Sequence, residues 1–111
     1  MDKRTNKKII DFVNSIEESN IELVKAYLFG SYAKHKDVEE SDIDVALVFR
    51  NLSDDQKFDL QVQFLLMASG FDSRIEPHLL SVNDFEDETP FAVEILKTGI
   101  EILPDVSVIS F

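Results

Sequence analysis

The chain has 111 residues, with 22 acidic and 11 basic side chains for a formal net charge of −11, and it is 44% hydrophobic with nine phenylalanines. That is enough apolar material for one small domain over 1–111, while the lack of cysteine excludes a disulfide framework or a cysteine-bound zinc. No run approaches the ~18 apolar residues of a membrane span, MDKRTNKKII lacks the apolar stretch of a signal peptide, and no basic surplus is present to displace counterions from a nucleic acid. A cytoplasmic protein with no membrane attachment and no direct nucleic-acid binding is expected.

Residues 5–18 predict an amphipathic helix. Ile9, Val13 and Ile16 recur at i, i+4 and i+7, with Ile10 and Phe12 widening the stripe. The cluster Lys3, Arg4, Lys7 and Lys8 reads as the solvated start of that helix. Val24 to Phe29 is a short run of β-formers and gives a first strand. Gly30-Ser31 turns the chain into a short helix near Tyr32 to Lys36, and Asp37 to Ser41 is a polar connector. Ile43 to Phe49, IDVALVF, is apolar except for Asp44, as expected of a strand covered on both faces.

Ser53 is positioned to cap a second long helix over 54–69, in which Phe58, Val62, Leu65, Leu66 and Ser69 follow helical spacing and Gly70 is a natural stop. Arg74 to Ser81 predicts a third strand. Pro77 has no N–H to donate, so this strand belongs at a sheet edge or carries an interruption. Asn83 can cap a short turn over 84–88. Thr89-Pro90 starts a helix through Thr98, Gly99 ends it, and Ile100 to Leu103 forms a last short strand. The core thus covers about 5–103. The tail, 104–111, has no clear period, and its Val106, Val108, Ile109 and Phe111 could supply contact area to a partner. Alternating helices and strands argue for an α/β layer, a small sheet with helices packed against it.

The chemistry concentrates in LFGSYAKHKDVEESDIDVALV, residues 28–48. A Gly30-Ser31 pair ends one apolar run, ten residues intervene, and Asp42-Ile43-Asp44 opens the next. Two carboxylates one residue apart on a strand share a face and suit a hard divalent cation such as Mg²⁺. A Gly-Ser turn can offer backbone N–H groups and a hydroxyl to phosphate oxygens. A cation beside a phosphate cradle suggests phosphoryl or nucleotidyl transfer.

Gly30-Ser31-Tyr32-Ala33-Lys34, with ten residues between Ser31 and Asp42-x-Asp44, resembles the signature of the DNA polymerase β-type nucleotidyltransferases, and of their minimal nucleotidyltransferase (MNT) subgroup in particular. The resemblance implies the polymerase β-like α/β (α+β) fold, with a small mixed β-sheet flanked by helices. It implies that Asp42 and Asp44 hold the Mg²⁺ ions that carry the triphosphate of ATP, and that Gly30, Ser31 and Lys34 contact the nucleotide. It implies a third acid on a following strand, which serves as metal ligand or base. Glu76 is the best match, with Asp72, ahead of the strand, as its rival. His78 shares the face of Glu76 and reads first as an ordinary strand histidine. The subgroup commonly has Arg-Gly where this chain has Lys34-His35. Lysine keeps the charge without the guanidinium fork, and His35, where glycine is usual, reads as a solvated helix-end residue.

The activity implied is metal-dependent transfer of a nucleoside monophosphate, AMP from ATP, to a hydroxyl. A chain of this length is not expected to carry an acceptor-binding domain of its own, so another chain should present the acceptor. MNT proteins often pair with HEPN-domain toxins as antitoxins, some by adding AMP to a toxin tyrosine, and a hetero-oligomer (or a homo-oligomer) is consistent with that. A catalytically inactive module that neutralises a partner by occlusion, and a small-molecule nucleotidyltransferase of the aminoglycoside-modifying type, are the alternatives.

Overall fold

The computed structural model describes residues 3–19, 22–33 and 42–102. The elements follow in the order α1 (Lys3–Ser19), β1 (Leu23–Phe29), α2 (Gly30–Ala33), β2 (Ile43–Phe49), α3 (Asp54–Ser69), β3 (Ile75–Ser81), α4 (Val82–Glu86), α5 (Pro90–Thr98) and β4 (Ile100–Glu101). The tail 104–111, Lys34 and His35 lie outside the described residues.

The four strands form one mixed sheet in the order β3-β2-β1-β4. β1 runs antiparallel to β2 and to β4, whereas β2 and β3 are parallel. The β2–β3 connection can be parallel because α3 crosses over between them. Pro77 fits where its missing N–H predicts, since β3 is an edge strand. Its carbonyl accepts a 2.6 Å hydrogen bond from the Gln61 amide of α3, which ties the crossover helix to the edge.

Alternation along the strands divides the interior in two. One face of the sheet presents Ala26 and Leu28 of β1, Ile43, Val45, Leu47 and Phe49 of β2, and Ile75 and Leu79 of β3. These pack with Ile9, Phe12, Val13 and Ile16 of α1 and with Phe64 and Ala68 of α3. The Phe49 and Phe64 rings stack at 5.7 Å. The other face presents Tyr27, Ala46, Val48 and Leu80, covered by Ala92 and Ile95 of α5 together with Phe85 of α4. β2 is buried on both sides, in keeping with its near-continuous apolar run.

Local signals explain most element ends. Ser53 caps α3 through a full capping box with Gln56. α4 is capped by Ser81, whose side chain accepts from the Asp84 N–H, two residues earlier than the Asn83 cap expected. Thr89 makes no side-chain cap bond to α5. Its hydroxyl donates instead to the Asp84 carbonyl at 3.2 Å, closing the α4–α5 turn. The stripe expected to anchor α3 faces outward: Phe58, Val62, Leu65 and Leu66 are exposed large hydrophobics. The core takes the opposite side, Phe64 and Ala68 with Leu60 and Met67. α3 is apolar on two faces, so helical spacing alone admits either as the buried one.

Candidate active site

The site lies on the α5 side of the sheet, where the apolar cover stops. Register sets its row. Phe29 of β1 opposes Asp44 of β2, and Asp44 lies beside Glu76 of β3. His78 stands two residues further on, beside Ala46, and therefore on the face of Glu76. Ligand atoms of Asp44, Glu76 and His78 all lie within 4.8 Å of one another. The His78 Nε2 is 3.0 Å from the Asp44 Oδ1. Glu76 is exposed, while the Asp44 and His78 side chains are 24% and 32% exposed. Water and a ligand can reach the group from outside, and the sheet fixes it from below.

Gly30 closes one side. Its φ is +77°, in the left-handed region that side chains rarely adopt. A Cβ built there would lie 2.5 Å from the Asp44 Oδ2. Glycine is therefore required twice, for the turn and for the approach of the backbone to the carboxylate. Tyr32 anchors the turn. Its ring is buried in the core, and its hydroxyl donates to the Asn6 Oδ1 of α1 at 3.2 Å. The motif tyrosine is thus a strut that holds the Gly30 loop over β2. Ser31 follows in α2.

His78 is held by aromatic edges. Its ring centroid is 5.1 Å from Phe29 and 6.0 Å from Phe91, both tilted near perpendicular, and those two rings meet at 5.3 Å. This wall on β1 and α5 turns the imidazole toward the carboxylates.

Of the acids anticipated for the site, Asp44 and Glu76 come together. Asp42 is exposed and precedes the first residue of β2, and it stands outside the three-residue group. The alternation argument holds only inside a ladder, and β2 begins at Ile43. Asp72 serves another purpose. It accepts a 2.9 Å ion-pair contact from the Arg74 Nη2 and a 3.0 Å bond from the Arg74 N–H. The side-chain hydrogen bond from Arg74 holds its carboxyl below the usual carboxylate range, against a smaller opposing effect of burial. The same guanidinium donates to Thr5 of α1 at 3.3 Å, so Asp72 braces the start of β3. His78, which from sequence reads first as an ordinary strand histidine, is brought into the group. The available signal was its i+2 spacing from Glu76, but its contact with Asp44 spans 34 residues and depends on the parallel pairing.

The group fits a divalent cation. It supplies two carboxylates and an imidazole whose ligand atoms lie within 4.8 Å of one another, beside a glycine turn whose backbone approaches the Asp44 carboxylate closely. Oxygen-rich sets of this kind take Mg²⁺ or Mn²⁺.

The fold has counterparts among solved structures. A candidate nucleotidyltransferase of Sulfolobus solfataricus has a similar structure, with a TM-score of 0.65 and 23% identity over 92% of this chain and 82% of that one. A toxin–antitoxin complex with AMP-PNP contains a chain similar at a TM-score of 0.59 and 22% identity, over 93% of this chain and 76% of that one. A complex of a tri-AMPylated Shewanella oneidensis HEPN toxin with an MNT antitoxin gives a TM-score of 0.57 and 22% identity, over 97% and 76%. At such identities these likenesses show a shared fold. No curated protein matches the chain. The family model of the polymerase beta nucleotidyltransferases matches residues 7–105, and the chain belongs to that family.

Proposed function

We propose that this protein is a metal-dependent nucleotidyltransferase of the MNT type, which transfers AMP from ATP to a hydroxyl, a tyrosine of a HEPN-type toxin, and acts as its antitoxin. The observation that carries the reading is the convergence of Asp44 and Glu76 beneath the left-handed Gly30 turn. The solved complexes with a similar chain, one holding AMP-PNP and one an AMPylated HEPN toxin, favour ATP as donor and a HEPN-type toxin as acceptor.

Asp44 and Glu76 would hold the ion, with Asp42 joining from the chain just before β2. A bound Mg²⁺ or Mn²⁺ offsets the charge of the triphosphate and of the departing pyrophosphate. The chain's own groups do the rest. The Gly30-Ser31 backbone would offer its N–H groups to the phosphates. Lys34, two residues beyond Tyr32 in sequence, would add a positive charge there. Glu76 is exposed and stands at the rim, where an incoming hydroxyl would arrive, so it can accept the proton that the hydroxyl loses on attack. The acidic net charge of −11 suits a basic partner, whose approach it would accelerate.

The test uses the partner co-expressed with the chain, purified together, and incubated with ATP and Mg²⁺. Intact-mass analysis should show one or more added AMP groups, on tyrosine by fragment spectra. Asp44→Asn should leave the complex intact and remove the added mass. Co-elution with no added mass in the wild type would instead leave a module that acts by occlusion alone. Added mass that persists in folded Asp44→Asn would refute the site.

A further inference from the structure

The position of His78 has a consequence for metal choice. Two ligands on one ion with bonds of about 2.1 Å stand about 3 Å apart when adjacent. The His78 Nε2 and the Asp44 Oδ1 are 3.0 Å apart, with a Glu76 oxygen inside the same 4.8 Å group. The nitrogen is also aimed. Phe29 and Phe91 hold the ring edgewise at 5.1 and 6.0 Å, which limits the orientations the imidazole can take. A surface histidine meeting an acid by chance would lack that wall.

We propose that His78 is a direct ligand of the catalytic ion and biases the site toward Mn²⁺ and similar transition metals over Mg²⁺. The inference rests on the metal-site reading above and adds the identity of the ion. Mg²⁺ takes oxygen ligands and gains little from imidazole, whereas divalent transition metals bind imidazole well and follow the order Mn²⁺ < Fe²⁺ < Co²⁺ < Ni²⁺ < Cu²⁺. Two carboxylates and one imidazole form a set that Mn²⁺ fills with no hard–soft mismatch. His78 thus acts on specificity: the carboxylates bind either ion, and the nitrogen separates them.

The experiment titrates the full, tag-free chain with Mn²⁺ and with Mg²⁺, alone and with tripolyphosphate, which carries no nitrogen. Pulsed EPR of the bound Mn²⁺ then reads its nearest neighbours. The wild type should show ¹⁴N coupling of a directly bound imidazole. His78→Gln should abolish that coupling and weaken Mn²⁺ by about tenfold or more, the range seen when a supporting group of a metal site is removed, while Mg²⁺ affinity changes by less than about threefold. His35→Gln, which alters the other histidine of the chain, should leave the coupling unchanged. Asp44→Asn should weaken both ions. Wild-type Mn²⁺ that binds in an Asp44-dependent way without ¹⁴N coupling would overturn the role of His78 and leave the metal site standing. Coupling lost in His35→Gln and retained in His78→Gln would also overturn it. A wild type that binds neither ion under any of these conditions overturns both readings. Where His78→Gln fails to fold, the wild type and His35→Gln decide together: ¹⁴N coupling that survives in His35→Gln belongs to His78, the other histidine of the chain, and coupling lost in His35→Gln overturns the proposal.

Discussion

The two faces of the sheet are built from the same strands and come out differently. On the α1/α3 face the apolar rows run the full length of β2, from Ile43 to Phe49, and helices seal them. On the α5 face the apolar row is Ala46 and Val48, and it gives way to Asp44 at the start of the strand, with Glu76 and His78 beside it. A strand buried on both sides is an inflexible support. Carboxylates at its head can be exposed to a ligand while their backbones stay fixed, which is the preorganisation that a metal site needs. The sealed face should therefore govern folding, and the open end should govern chemistry.

A core substitution on the sealed face tests the first half. Phe64 is 1% exposed and stacks on Phe49. Phe64→Ala should cost about 3–5 kcal/mol of stability, measured by urea or thermal unfolding. A loss under about 1 kcal/mol would mean that α3 does not hold the sheet. At the open end the balance should reverse. Glu76→Gln should lower turnover by ~10²-fold, about 2.7 kcal/mol in the barrier, with a melting temperature close to wild type because the side chain is exposed. Wild-type rates in that variant would remove Glu76 from the reaction.

Gly30→Ala should blur the comparison, because Gly30 belongs to both the turn and the site. A side chain in the left-handed region costs about 1–2 kcal/mol, and the new Cβ would press on the Asp44 carboxylate. Lower stability and weaker Mn²⁺ or Mg²⁺ binding are expected together. A variant with full affinity would show that the carboxylate relaxes freely. The smallest effect belongs to Asp72→Asn at the α1–β3 brace. Asp72 has a lowered pKa in the folded state. Its contribution is therefore fully present above its unfolded value of about 3.9 and fades as pH falls through the lower folded value. The variant should be destabilised by about 1.5 kcal/mol at pH 7, the lower end for a hydrogen bond to a charged group. Its stability should converge with wild type as pH drops below 4. A difference that stays constant across that window would point to packing in place of the ion pair.

Much of this was legible in the order of residues. The N-cap at Ser53, the edge position that Pro77 allows and the double burial of β2 depend on groups close in sequence, and the local pattern reports them. The turn at Gly30-Ser31 belongs with them, whereas its left-handed φ at Gly30 came from the structure. The mixed sheet was reached through family resemblance, because periodicity carries no strand direction. Which side of α3 turns inward was beyond local pattern as well. Both of its faces are apolar, and the side that carries Phe64 and Ala68, with Leu60 and Met67, is the one that packs on the core.

The site divides in the same way. That Glu76 and His78 share a face follows from alternation within one strand. That this face meets Asp44 and that Asp42 sits ahead of the ladder were settled by tertiary pairing, whereas the ion pair of Asp72 with Arg74 is a local contact two residues apart. A hydrogen-bond ladder fixes register between residues more than thirty positions apart, and a single chain's local pattern carries no record of that register. The residue types and their spacing were written in the sequence. The meeting of His78 with Asp44 was made by the parallel packing of β3 on β2.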